Sequence, residues 1–200
     1  MVMAVLLLQA TINGFPSGAD RPVQLPCALS GTPLRVLSIE SYDGPFLEDG
    51  SCQPVAGVAA VVLENTGSVT LRCGAVRLLQ GRQVLVFSFT MLPPGAKMLV
   101  AEKSRKSLSG QTITGCWGWS LESNKSRQIS LSTNGRAGFL VTNLTDSTLD
   151  ALVRFKAYDT EQSLYIGGYS FQAVVEDLKP GIPRVVPVYC YATGHIRPVG

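Results

Sequence analysis

The chain has 200 residues, a formal net charge of +3 and 16% charged residues, which is below the ~25% usual in soluble domains. A hydrophobic content of 46% excludes a disordered chain, because such chains are rich in charge and poor in apolar residues. The 20 glycines and 12 prolines, together with few segments of helical period, favour β-structure with many turns.

The N-terminal part of the chain contains an apolar run over residues 2–12 with a single Gln. This run is too short to cross a bilayer, which takes ~20 residues, but it suits the apolar part of a signal peptide. Small residues at positions 17–19 are compatible with cleavage there. No Lys or Arg precedes Arg21, so a genuine first strand stays open as the alternative. We expect residues 1–19 to be a signal or anchor remnant, which predicts export to the extracellular space or the cell envelope and allows a membrane tether.

One strand-and-turn pattern occurs twice, over residues 57–102 and over residues 136–191. Each copy opens with an apolar run that ends at an Asn, and then passes through two alternating segments to a Leu-x-Pro-Gly turn. From Asn65 to Gly95 is 30 residues, whereas the matching distance in the second copy is 38. Alternation places the extra residues around positions 159–168, as a longer hairpin in the same fold, since loop closure costs little extra entropy as a loop lengthens.

The strands of the first copy follow from their apolar pattern. Residues 58–63 are all apolar, which predicts a central strand covered on both faces. The next strand alternates through Leu71 and Cys73 and changes phase at Gly74, which predicts a β-bulge at that glycine. Cys73 and Cys190 fall at positions that we expect to face the core. The strand that follows has one apolar face, made of Leu85, Phe87, Phe89 and Met91.

The second copy repeats this alternation in two strands. In one of them a polar face is predicted to carry Asp150, Arg154 and Lys156, opposite an apolar face. In the other, the inward residues are predicted to be Tyr169, Phe171, Ala173 and Val175, with Ser170 and Gln172 facing outward. Between the two, the pair Gly167 and Gly168 favours a tight turn or a bulge, with no helix after it that could hold a phosphate.

The Asn and Leu-x-Pro-Gly positions are assigned a structural role in the turns of both copies. The asparagines can cap the turn after their strand, and the Pro-Gly pairs end a strand and allow positive φ. The residues concerned are Asn65, Pro94, Gly95, Asn143, Pro180 and Gly181.

Short strands with turns between them predict an all-β fold of two tandem immunoglobulin-like antiparallel β-sandwich domains related by an internal repeat. We place the two domains at residues 31–107 and 112–194. A single larger sandwich built from both copies is the competing architecture.

The segments at residues 60–67, 87–95 and 165–169 resemble those of uncharacterised exported or membrane-anchored proteins of Gram-positive gut bacteria. They are more loosely similar to small immunoglobulin-like envelope modules with an N-x-G and L-x-P-G signature. This resemblance covers most of residues 34–191. It implies a tandem β-sandwich fold and an envelope location, and it carries no activity or functional residue.

Residues that could carry chemistry are scarce in this sequence. Acid–base catalysis most often uses His, and His195 lies in what we expect to be a frayed tail that fixes no geometry. The carboxylates between residues 40 and 49 match no calcium-loop spacing and are interpreted as solvated turn residues. The five cysteines contain no C-x-x-C pair, so no zinc site or redox dithiol is predicted, while the pairing of disulfides stays open. We expect no catalytic residue, metal or cofactor.

Trp117 and Trp119 form the most distinctive surface candidate, because both fall on the same face of an extended strand. If exposed, they could stack on sugar rings or anchor a protein. Burial in a core or at a domain junction is the interpretation that we favour, since large aromatic side chains are most often there. The basic residues of segment 103–106 indicate a solvated linker rather than a nucleic-acid contact.

These features predict a non-enzymatic module of the cell envelope or extracellular space, which binds or spaces a contact with a protein or a cell-wall polymer. No nucleic-acid partner is expected. The alternative is a glycan-binding enzyme or enzyme accessory that uses the face of Trp117 and Trp119 together with the hairpin at residues 159–168.

Overall fold

The computed structural model of the chain describes residues 21–123, 128–133, 138–187 and 195–199. Strands take up 66% of these residues and no helix occurs among them, so the all-β expectation is confirmed. Within these ranges there is accordingly no helix that could cross a membrane. The signal or anchor expected at residues 1–19, and Cys190, lie outside the described residues.

In chain order, the strands are β1 (Cys27–Ala28), β2 (Leu34–Phe46), β3 (Gln53–Asn65), β4 (Leu71–Gln80), β5 (Gln83–Leu92), β6 (Lys97–Ala101), β7 (Ile113–Glu122), β8 (Ile129–Thr133), β9 (Gly138–Asn143), β10 (Leu149–Asp159), β11 (Leu164–Leu178), β12 (Arg184–Pro187) and β13 (His195–Pro198).

These strands form three sheets. The largest has the order β1-β2-β3-β6-β11-β10-β13, and the other two are β5-β4-β7 and β12-β9-β8. Neighbouring strands are antiparallel except β6 and β11, whose parallel ladder pairs Met98 with Tyr165 and Leu99 with Ile166. Strands from both copies of the sequence pattern therefore share one continuous sheet.

Two apolar cores lie on the seven-stranded sheet. The first contains residues of β2, β3 and β6 together with β4 and β5, and its largest side chains include Leu63, Leu78, Phe87 and Phe89. The second contains residues of β10, β11 and β13 together with β9 and β12, and is centred on Phe139, Val153 and Phe155. Each three-stranded sheet thus buries one face against a different part of the large sheet.

The strongest apolar patterns of the first copy are confirmed. Positions 58–61 of β3 are buried, because this strand lies between β2 and β6 and is covered on both faces. On β5, the side chains at the four predicted inward positions are all buried, in alternation with half-buried residues. Period-two alternation is reliable there because one face of β5 meets the core along its whole length.

The bulge expected at Gly74 is wrong, since β4 pairs with β5 in continuous register through this residue. Register shifts occur instead in the pairing with β7, between Leu71 and Cys73 and between Leu79 and Gln80. A Cβ at Gly74 would lie 2.5 Å from the Phe89 ring, so packing rather than a bulge requires this glycine. Cys73 is half-buried on the face opposite Gly74, which corrects its expected place in the core.

The structure contradicts two further expectations about the second half of the chain. The strand that contains Trp117 and Trp119, which lies within the second predicted domain at residues 112–194, is β7 and pairs with β4 of the first copy. The backbone of His195 is held in β13, opposite Tyr158 of β10, so the frayed tail expected there is wrong. Alternation along a single strand does not reveal its partner, which explains the first difference.

Candidate functional site

Lys156 on β10 is completely buried, although the alternation of its strand predicts an outward position. Its Nζ donates hydrogen bonds to the carbonyl oxygens of Gly167 (3.1 Å), Gly168 (2.8 Å) and Tyr169 (2.8 Å). An ammonium group has three N–H donors, so these three acceptors satisfy its charged form. The chain itself therefore supplies every partner that this lysine needs.

A bulge of four residues in β11 places three backbone carbonyl groups around this ammonium group. Phe155 pairs with Phe171 and Ala157 pairs with Ile166, so Lys156 alone faces residues 167–170. This bulge confirms the irregularity predicted at the two glycines, but it lies inside β11 and not in the hairpin between two strands where it was expected. It also reverses the phase of the strand, which leaves Tyr169 exposed and Ser170 buried, opposite to the sequence prediction.

The two glycines of the bulge are required by close packing. Gly167 has φ +82°, and a Cβ there would lie 2.6 Å from Cβ of Leu47. A Cβ at Gly168 would lie 2.0 Å from the backbone oxygen of Ser88 on β5. The bulge is thus pressed against the turn after β2 and against β5, and no larger residue fits at either position.

Glu48, in the turn after β2, holds the other side of the same bulge. Its Oε2 accepts a hydrogen bond from the Gly168 N–H (2.7 Å), and its Oε1 accepts one from the Ala101 N–H (2.8 Å). Lys156 and Glu48 therefore bond to opposite ends of the Gly168 residue. We call Glu48, Lys156 and the backbone of residues 167–169 the buried joint, because it connects both copies of the sequence pattern.

The charges of the buried joint are strongly perturbed by their surroundings. Burial raises the pKa of the Glu48 carboxyl, which hydrogen bonds to backbone N–H groups and the charge of Lys156 partly oppose. Burial lowers the pKa of Lys156, and the negative charge of Glu48 opposes that effect. Each group therefore favours the ionised form of the other.

A cavity of about 120 Å³ lies beside the buried joint, with room for a few water molecules or a very small ligand. The hydroxyl of Thr90 donates to the Gly168 carbonyl (3.1 Å) and lies 2.8 Å from that of Ser170. The residues that line the cavity are Glu48, Ser88, Phe89, Thr90, Lys103, Gly168 and Tyr169. Each carboxylate oxygen of Glu48 already accepts a backbone N–H and Lys156 has no exposed surface, which supports a structural role for the pair.

The tryptophans of β7 lie on the outer face of the β5-β4-β7 sheet. Trp119 pairs with Ala75 and has 48% of its surface exposed, as does Leu121 two residues later, while Trp117 is half-buried. The expectation that both tryptophans fill a core is therefore wrong for Trp119. The alternate residues of β7 take the inward positions, since Gly118 pairs with the buried Val76. We call Trp119 and Leu121 the outer strip.

The outer strip and the cavity lie on one row of the same sheet. Ser88 of β5 pairs with Ala75 of β4, which in turn pairs with Trp119 of β7. Because neighbouring strands are ~4.8 Å apart, the backbones of Ser88 and Trp119 are about 10 Å apart. Of the hairpin at residues 159–168, Gly168 is the residue that lines the cavity.

The two asparagines of the repeated pattern make matching hydrogen bonds. Asn65 Nδ2 donates to the carbonyls of Val69 (2.8 Å) and Leu92 (3.0 Å), and its backbone oxygen accepts the Gly95 N–H (2.9 Å). Asn143 Nδ2 donates to the carbonyls of Ser147 (2.7 Å) and Leu178 (2.8 Å), and its backbone oxygen accepts the Gly181 N–H (3.0 Å). Gly95 and Gly181 have φ of +67° and +66°. Pro94 and Pro180 precede these glycines at exposed positions of the turns.

The acidic residues at positions 40–49 do not converge on one point. Asp43 accepts a hydrogen bond from the Gly57 N–H (2.6 Å), Asp49 pairs with Arg105 (2.8 Å), and Glu48 belongs to the buried joint. Within the residues that the structure describes, no group of three His, Cys, Asp or Glu side chains could hold a metal ion.

The basic segment 103–106 is exposed but is not a free linker. The buried carboxylate of Glu102 accepts hydrogen bonds from the N–H groups of Ser104 (2.7 Å) and Lys106 (2.9 Å). The Lys103 N–H donates to the carbonyl of Val86 (3.1 Å) on β5. The backbone of the segment is therefore fixed along β5. Its side chains are exposed, but Arg105 pairs with Asp49 and Lys106 Nζ donates to the Val84 carbonyl (3.1 Å).

Sequence reasoning misses both side chains of the buried joint. The sequence pattern assigns Glu48 to a solvated turn and Lys156 to a polar strand face. One signal is present: a Gly-Gly pair and extra residues follow a strand in which a single lysine lies between Phe155 and Ala157. Comparisons of the chain with family models, with curated proteins and with solved structures find no match.

Proposed function

We propose that this protein is a non-enzymatic binding module of the extracellular space or cell envelope, and that it contacts a partner protein through the outer strip. The observation that carries this proposal is the exposure of Trp119 and Leu121 next to each other on one strand. Trp is favoured at the centre of protein interfaces, because it contributes a large apolar area with little conformational entropy.

The position of β7 supports a protein as the partner. It is the outer strand of the β5-β4-β7 sheet in the described part of the chain, and it is ten residues long. Residues 23–32 run alongside β7, where the Val23 N–H donates to the Ile113 carbonyl (2.8 Å), so we expect a partner to dock on the outer face of the sheet over Trp119 and Leu121. In that arrangement, burial of the apolar surface of the outer strip supplies the affinity.

We further propose that the scaffold consists of two immunoglobulin-like β-sandwich units related by an internal repeat. The order of strand pairing supports this, since β2-β3-β6 with β5-β4-β7 matches β8-β9-β12 with β11-β10-β13. The matching bonds of Asn65 and Asn143 support it independently. The buried joint then keeps the two units in a fixed relation, so that the outer strip is carried on a rigid support.

Glycan binding is the second candidate function. Tyr169 at the cavity has 43% of its surface exposed, and Trp119 lies on the same sheet row. Aromatic side chains stack on the apolar faces of sugars, and a row of this length suits a short oligosaccharide. The hairpin residue Gly168 contributes to the cavity, which agrees with the alternative expected from the sequence.

The experiment measures binding of the purified protein to cell envelopes of a Gram-positive bacterium by sedimentation. We expect binding to intact envelopes and at least about tenfold weaker binding by the double variant Trp119→Ser/Leu121→Ser. Treating the envelopes with protease should abolish binding if the partner is a protein. Binding that survives protease and is competed by soluble wall polysaccharide would instead support the glycan function.

The control is a second pair of exposed apolar residues, Leu152 and Val174, which face each other on β10 and β11. The variant Leu152→Ser/Val174→Ser should bind like the native protein. If this variant loses binding and the outer-strip variant does not, the proposed contact surface is wrong. Release of reducing sugar from wall polysaccharide by the native protein would contradict the non-enzymatic assignment.

A further inference from the structure

Residues 23–32 run alongside β7 in the same direction and bring two cysteines together. The Val23 N–H donates to the Ile113 carbonyl (2.8 Å) at one end of this contact. At the other end, the hydroxyls of Thr32 and Ser120 are hydrogen-bonded. These two contacts fix the alignment of the segment along the strand.

Between these ends, the alignment places Cys27 beside Cys116. A Cβ at Gly118 would lie 2.9 Å from Cδ1 of Leu29, so the segment packs closely against β7 there. Both cysteines are half-buried and pack against the first apolar core. Burial raises the pKa of the Cys116 thiol to about 12, and the neighbouring Cys27 side chain adds to this effect.

We propose that Cys27 and Cys116 form a disulfide bond when the protein meets a disulfide oxidant, such as oxidised glutathione or an oxidised thiol oxidoreductase. This bond would connect β1, at the edge of the seven-stranded sheet, to β7, at the edge of the β5-β4-β7 sheet. It would hold the strand that carries the outer strip against the rest of the molecule. The inference does not depend on the proposed binding function.

The remaining described cysteines are not placed to compete for this pairing. Cys73 lies on the outer face of β4, whereas Cys116 pairs with the inward Leu78, so the two thiols face opposite sides of the sheet. Cys52 lies in the turn after β2, where its N–H donates to the Phe46 carbonyl (3.0 Å). A disulfide needs Cα atoms within ~4.4–6.8 Å, which favours the pair that the alignment of residues 23–32 along β7 places side by side against the first apolar core.

The reaction is an exchange in two steps. The thiolate of Cys27 attacks one sulfur of the oxidant, forms a mixed disulfide and releases the other sulfur as a thiolate. Cys116 then loses its proton and attacks the sulfur of Cys27, which releases the second oxidant thiolate. In total, two cysteine thiols lose two protons and two electrons, and the oxidant disulfide is reduced to two thiols.

The test equilibrates the full chain in a glutathione redox buffer and then alkylates it under denaturing conditions. We expect the oxidised protein to react with two fewer alkylating groups than the reduced protein, which carries five cysteines. Peptide mapping without reduction should recover the peptides of Cys27 and Cys116 joined, about 2 Da lighter than their sum. An unchanged number of alkylated thiols, or a bond between any other pair, would overturn the proposal.

Single variants separate this bond from general effects of the cysteines. Oxidation should raise the melting temperature of the native protein by roughly 5–15 °C, because the bond closes a long loop of the unfolded chain. Cys27→Ser and Cys116→Ser should each abolish this rise, and the control Cys73→Ser should keep it. If Cys27→Ser retains the rise, the proposed pairing is wrong, even if Cys116→Ser proves too unstable to measure.

Discussion

The buried joint and the outer strip place polar and apolar side chains where the usual rule would not put them. In the joint, a lysine and a glutamate lie inside the protein, and all their charged atoms have partners within the chain. In the outer strip, a tryptophan and a leucine lie outside, each 48% exposed. The polar groups of the buried joint therefore have all their hydrogen-bond partners within the isolated chain. Covering the apolar surface of the outer strip, by contrast, would lower the free energy.

This difference indicates that the buried joint supports the fold and that the outer strip serves as a contact surface. A buried ion that has every hydrogen bond satisfied fixes the geometry of the groups around it, and removing one partner leaves the others unsatisfied. An exposed apolar strip contributes little to folding, but it can contribute to binding. Four measurements of stability test this distinction between a supporting site and a contact surface.

The largest effect is expected for Lys156→Met. The variant removes the ammonium group from three backbone carbonyls and leaves Glu48 without its opposite charge, so the free energy of unfolding should fall by about 3–5 kcal/mol. Urea denaturation followed by circular dichroism measures this change. The matched control Lys97→Met, at an exposed strand position, should change stability by less than about 0.5 kcal/mol. Equal effects of the two variants would mean that the joint does not stabilise the fold.

The next effect concerns the matching turns. Asn65→Ala and Asn143→Ala each remove two hydrogen bonds from Nδ2 to carbonyls, together with one hydrogen bond to Oδ1 of Asn65 and two to Oδ1 of Asn143, and both side chains are buried. Each variant should lower the free energy of unfolding by about 2–3 kcal/mol, because carbonyl groups are left without partners. Losses that differ by more than about 1.5 kcal/mol in the same urea titration would contradict the structural equivalence of the turns.

A smaller, pH-dependent effect is expected from Glu48. Burial raises its pKa from 4.5 to about 7, so the folded chain binds a proton more tightly than the unfolded chain between these values. Its contribution to stability is fully present below pH 4.5 and is lost as the pH rises through 7. Relative to Glu48→Gln, the native protein should therefore become less stable from pH 4.5 to 7. A relative stability that increases over this range would show that the pKa of Glu48 is lowered instead.

The smallest effect on stability is expected in the outer strip. Trp119→Ser/Leu121→Ser removes side chains that are about half exposed, so the free energy of unfolding, measured by thermal denaturation, should change by less than about 1 kcal/mol. The same variant is expected to lose binding to envelopes. A loss of stability as large as that of Lys156→Met would mean that the strip is part of the core and not a contact surface.

The sequence is a good guide to the fold where one strand face meets a core along its full length. The apolar face of β5 and the central position of β3 follow directly from their alternation and their continuous apolar run. An irregularity at Gly167 and Gly168 is also predictable, because consecutive glycines interrupt strand pairing, although its position inside β11 is not. These features depend on neighbours in the sequence.

The side chains of the candidate site depend on neighbours in space, and this is why local patterns miss them. The burial of Lys156 results from the four-residue bulge opposite it, which no pattern on β10 reveals. The exposure of Trp119 results from the pairing of β7 with β4, which assigns the inner face to Gly118 and its alternate neighbours. Strand partners across long sequence separations are not encoded in local alternation.

Amide hydrogen exchange of the native protein, free and bound to detergent-solubilised envelope protein, tests the central claim most directly. The account predicts that binding slows exchange in residues 113–122 of β7 and leaves residues 156–170 around the buried joint unchanged. Slower exchange on β8, β9 or β12 with no change in β7 would contradict it, because the contact surface would then lie on the other half of the molecule.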